Sequence, residues 1–101
     1  MIASVTLDVV YEDPSQVVKG LSKFREMLSA ECDVVAAPSW LIASCKDMVV
    51  KCAVVLSGDI TRLTAPARLR VTIEGEAGQV VRGSRLVLAV AQATGGGVTM
   101  E

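Results

Sequence analysis

The chain contains no histidine, so the one side chain whose ordinary pKa lies near neutrality is missing. A general base would have to be a perturbed carboxylate, cysteine or lysine. Asp8 falls on the polar side of an alternating apolar stretch and Asp59 stands in the turn sequence Ser57-Gly58-Asp59, so both read as solvated. A cysteine nucleophile needs a lowered pKa, and Cys45 beside Lys46 is the best candidate, although a packing or turn role is the expectation. Cys32, Cys45 and Cys52 are odd in number and form no C-x-x-C pair, and without histidine the usual zinc spacings are absent. They read as three small buried thiols in a reducing, cytoplasmic setting. No glycine run has the strand–loop–helix pattern with lysine that cradles phosphate. The residues therefore predict no enzyme, no cofactor and no metal.

The arginines are more suggestive. Residues 60–100 hold Arg62, Arg68, Arg70, Arg82 and Arg85, no lysine, and only Glu74 and Glu76, for a charge of +3. Residues 1–59 carry five basic and eight acidic side chains, for −3, and the whole chain is −1. Guanidinium groups suit phosphate or carboxylate in forked geometry. Arg68, Arg70, Arg82 and Arg85 are thus candidates for an anion or single-stranded nucleic-acid face. The net negative charge and an aromatic content of 3% argue against nucleic acid, since base stacking needs rings.

The elements that position these residues follow from periodicity. Asp13 to Ala30 is the one long helical pattern: Asp13 caps it, Pro14 occupies a first-turn position and Gln16 completes a capping-box-like start. Val17, Leu21, Phe24 and Leu28 share one face, opposite Lys19, Lys23 and Glu26. Gly20 lies at the apolar edge, where either a strand backbone approaching closely or a tolerated defect would explain it. Residues 3–11 alternate as a half-buried strand with Ala3, Val5, Leu7, Val9 and Tyr11 inward. Trp40 to Leu56 reads as a hairpin whose second arm is apolar on both sides: Met48, Val50, Cys52, Val54 and Leu56 on one, and Val49, Ala53 and Val55 around Lys51 on the other. Arg68 to Glu74 is a strand with Leu69, Val71 and Ile73 inward. Gln79 to Arg82, a kink at Gly83-Ser84, and Arg85 to Ala93 read as two more strands, the last apolar on its second face through Val87, Ala89 and Ala91. Residues 1–94 then form one domain and 95–101 a glycine-rich tail.

The expected architecture is α+β, one helix laid over a curled, mostly antiparallel sheet, in outline cystatin-like or NTF2-like, with a small OB-like barrel as the alternative. Three short stretches resemble family motifs in sequence only. Gln16 to Gly20 is similar to the Q-x-V-x-G of cystatins, which that family presents on a hairpin tip rather than within a helix. Val34 to Cys45 resembles the tryptophan segment of BRCT domains, there preceded by a phosphate-binding region. Gly95 to Gly97 is similar to the diglycine ends of ubiquitin-like sulfur carriers, where the glycines are terminal. None brings its family's context with it.

Half the residues are apolar, 51%, and mean hydropathy is +0.50, but no apolar run reaches the ~18 residues of a membrane span. One helix cannot cover both sides of such a sheet. The sequence therefore predicts a non-enzymatic interaction or assembly module, a homo-oligomer or a partner-protein binder, using Val49, Ala53 and Val55 or Val87, Ala89 and Ala91. A small viral or mobile-element accessory or inhibitor protein is a further class compatible with that reading.

Overall fold

A computed structural model describes residues 2–56 and 67–100. Arg62, the turn at residues 57–59, the short strand or loop expected at 60–64 and the break at 65–66 lie outside the described residues. The elements run β1 (Ile2–Tyr11), α1 (Ser15–Ser29), β2 (Asp33–Ala37), β3 (Trp40–Cys45), β4 (Met48–Leu56), β5 (Ala67–Glu76), α2 (Ala77–Thr94) and β6 (Gly97–Met100). The strands form one open antiparallel sheet in the order β2-β3-β4-β5-β1-β6.

The expected alternation sets which side chains turn inward. Leu7, Val9 and Tyr11 of β1, Leu41 and Ala43 of β3, Met48, Val50 and Cys52 of β4, and Leu69, Val71 and Ile73 of β5 form the buried face. Both helices pack on it. α1 contributes Val17, Leu21, Phe24 and Leu28, the stripe its spacing predicts. At its cap position stands Pro14, itself in helical conformation and making no side-chain cap bond, and ahead of that the Ser15 N–H donates to Asp13 Oδ1 at 3.0 Å. That bond, and the matching one from the Ser15 hydroxyl, hold the Asp13 carboxyl below its ordinary pKa.

The C-terminal half departs from the strand reading. Residues 77–94 are helix, and the expected strands at Gln79 to Arg82 and Arg85 to Ala93 do not exist. The reason lies in the buried positions. Val80, Gly83, Val87, Val90 and Ala91 recur at helical spacing, whereas Val81 and Leu88 stand 54% and 50% exposed, so alternation was the wrong period. The expected kink at Gly83 is a contact. A Cβ there would lie 3.0 Å from Met48 Sδ and 3.1 Å from Ile73, so the missing side chain lets α2 settle on the sheet. Gly95, in left-handed conformation at φ 76°, ends the helix, and the Gly96 N–H donates to the Ala91 carbonyl at 2.9 Å. Beyond it, the residues expected as a tail include β6, whose Gly97 to Met100 pair with Val10 to Leu7.

Tyr11 stands at the meeting point of β1, α1 and α2. Its ring fills the space a side chain at Gly20 would need: a Cβ there would come 2.2 Å from Tyr11 Oη and 2.9 Å from Leu69 Cδ1. The close approach expected at Gly20 is thus made by a phenol rather than by strand backbone. The Thr94 hydroxyl donates to the Val90 carbonyl at 2.7 Å, so in the 2.7 Å bond between Tyr11 and Thr94 the phenol is the donor. Burial raises the Tyr11 pKa above its ordinary value.

Candidate functional site

Among the described residues, no element covers the face of the sheet opposite the helices. Pairing aligns its side chains in rows across the strands, one of which runs Ala37, Trp40, Ala53, Arg70, Asp8, Thr99, and the next Val35, Ile42, Lys51, Thr72, Thr6. The β2–β4 half of this face is apolar. Val35 is 64% exposed, Trp40 40% and Ile42 39%, Ala53 is exposed, and Val49 and Val55 are half-buried. Lys51 is the charged residue among them. Val49, Ala53 and Val55 therefore stand together where the sequence put them. The other expected set does not. Val87 and Ala91 are buried between α2 and the sheet, and Ala89 alone of the three is exposed, because these residues belong to a helix.

The β5–β1 half of the same face is polar and closed by an ion cluster. Asp8, expected to be solvated, is fully buried. Arg68 Nη1 donates to its Oδ2 at 3.2 Å, and Arg70 donates through Nε to Oδ1 at 3.1 Å and through Nη2 to Oδ2 at 3.3 Å. The register explains the burial: Arg70 pairs directly across from Asp8 and Arg68 lies one pleat along, so both guanidinium groups fold over one carboxylate. Strand alternation put all three on the polar side, but only the register could show that they meet. Arg82 and Arg85, expected near them, lie on α2 in the other layer. Arg82 is paired with Glu31. The four arginines therefore do not share a face.

The cysteines also differ from expectation. Cys32 and Cys45 form a disulfide, joining the end of α1 to the end of β3. The antiparallel pairing of Asp33 with Ser44 places the two flanking cysteines side by side. They are not free thiols, and a disulfide lends no support to a reducing compartment. Cys52 is free and buried, and burial pushes its thiol up to about 12, which suits packing and not nucleophilic attack. Among the described residues no three His, Cys, Asp or Glu side chains gather to hold a metal ion. No helix there is long and apolar enough to cross a membrane.

A second feature, which the sequence did not suggest, is a cleft of about 650 Å³ where the C-terminal end of α1, the first turns of α2 and the β3–β4 turn converge. The disulfide forms part of its wall. Met27, Met48 and Leu86 line it together with Glu31, Lys46, Asp47, Gln79, Arg82 and Arg85. Asp47, in left-handed conformation at φ 61°, makes the tight turn that brings Lys46 to the rim.

No family model matches the sequence, and no curated protein matches it. The fold has a solved counterpart in the NMR structure of PA4090 from Pseudomonas aeruginosa, with a TM-score of 0.57 over 96% of this chain and 95% of that one at 7% identity. At that identity the likeness speaks for the arrangement of elements alone.

Proposed function

We propose that the protein is a self-assembling interaction module whose open sheet face docks on the same face of a second copy. The observation that carries this is the one-sided cover: both helices lie on one face, while the other leaves Val35, Trp40, Ile42 and Ala53 in solvent. Contiguous apolar surface of this kind costs about 25 cal/mol for each Å² kept in water. Four strands, β2 to β5, at ~4.8 Å spacing and six residues at ~3.3 Å rise make roughly 400 Å² of flat area per copy before side-chain relief, and β2 to β4 are the apolar part of it. A standard interface buries about 800 Å² of accessible surface per partner, so this face would make a small one.

Self-complementarity favours a second copy over an unrelated partner. Trp40 and Ala53 are directly paired neighbours, one large and one small. A two-fold axis parallel to the strands and between β3 and β4 would set each copy's indole over the other's Ala53, and each Ile42 over the aliphatic stem of Lys51. Two sheets packed this way, about 10 Å apart, make an ordinary sandwich core. Sedimentation velocity tests the reading. The wild type should sediment as a dimer at micromolar concentration, and Ile42→Lys, at a site exposed in the single copy, should weaken association at least tenfold while leaving the fold intact. A wild type that stays monomeric, or a variant that associates as well, removes the proposal.

A further inference from the structure

The cleft between the helices is separate from the open face, and its chemistry is of a different kind. Its walls divide by polarity. Met27, Met48 and Leu86 supply an aliphatic, adaptable floor. At the rim stand three cations and two carboxylates, and Arg82 is already held by Glu31. Lys46 and Arg85 are exposed, and neither is in an ion pair among the described residues. Gln79 adds a polar group from the first turn of α2, a helix that begins without a side-chain cap. A volume of about 650 Å³ falls within the range of roughly 300–1,000 Å³ usual for small-molecule sites, which combine an apolar lining with a few placed polar groups.

From these we infer that the cleft binds a single-tailed aliphatic anion, its chain on the methionine floor and its carboxylate or phosphate head between Lys46 and Arg85. The disulfide keeps the site open by holding the α1 end and the β3–β4 turn in fixed relation. Arg82 and Glu31 close the rim without taking the ligand's charge.

The test uses the full chain carrying ¹³C-methyl methionine. Met27 and Met48 report the cleft, and Met100, 75% exposed on β6, serves as the internal control. Decanoate, decyl phosphate, decan-1-ol and decyltrimethylammonium are titrated below micelle formation. Expected are saturable shifts of Met27 and Met48 with Met100 unmoved, and either anion at least tenfold tighter than the alcohol or the cation. The two anionic arms tell a carboxylate site from a phosphate site. In the double variant Lys46→Glu, Arg85→Glu the anion should weaken at least tenfold while the alcohol stays within twofold. The inference is overturned if Met27 and Met48 do not move at millimolar ligand, if Met100 moves with them, if alcohol or cation binds as well as the anions, or if the charge reversals leave anion affinity within twofold.

Discussion

Replacing Gly20 by alanine should destabilise the protein, although in an exposed helix the same change would stabilise it by about 1 kcal/mol. The new methyl would be built 2.2 Å from Tyr11 Oη and 2.9 Å from Leu69 Cδ1, well inside contact distance. The phenol is anchored by its bond to Thr94, so relief requires moving the ring, at about 1 kcal/mol for that bond. Forcing a methyl into a packed core costs a further 1–3 kcal/mol, roughly. The net expectation is a loss of about 1–3 kcal/mol, or at least about 5 °C in Tm for a chain of this size. Tyr11→Phe removes the atom of closest approach. In that background Gly20→Ala should cost at least about 1 kcal/mol less, a coupling that a double-mutant cycle isolates. Urea unfolding of the four proteins, with m-values checked for constancy, supplies the numbers. A neutral or stabilising Gly20→Ala in the wild type, or an equal cost in both backgrounds, would refute the argument.

Two other expectations concern the cysteines. Reducing the Cys32–Cys45 bridge, or replacing both residues by serine, should cost about 3 kcal/mol by chain entropy for a loop of this length, read as a lower urea midpoint; no change on reduction would mean the bond is not formed in solution. Burial raises the folded-state pKa of both Cys52 and Tyr11, so the stability tied to each is complete below its unfolded value and is lost as pH rises through its folded one, a window that for Cys52 runs from about pH 9 to about 12. For Cys52 the rise from 9.0 to about 12 corresponds to roughly 4 kcal/mol at the upper end. Cys52→Ala should flatten the alkaline decline in urea midpoint, and an unchanged slope would show that the thiol is not the titrating group.

Where one period was unambiguous, the sequence was sufficient. The stripe of Val17, Leu21, Phe24 and Leu28 admits only a helix, and β1 and β5 alternate with one apolar face fixed. Over α2 the period is ambiguous, because Leu86, Val87, Leu88, Ala89, Val90 and Ala91 are all apolar and a continuous apolar run satisfies periods of 2 and 3.6 alike. Its alanine content and the helix-ending glycines were the available signals. The Asp8 cluster, the disulfide and the cleft share another cause. Each joins residues remote in sequence through strand register or helix docking, which no local pattern encodes.

The central claim is that the open face of one copy covers that of another. Isotope-filtered NOE spectra of an equimolar mixture of labelled and unlabelled chains test it most directly, because they separate contacts between copies from those within one. The expected result is a set of contacts between the Trp40 indole of one copy and the Ala53 methyl of the other, with Ile42 and Val49 methyls nearby. A mixture that gives no contacts between copies at millimolar concentration, or gives them only from the outer surfaces of α1 and α2, would contradict it.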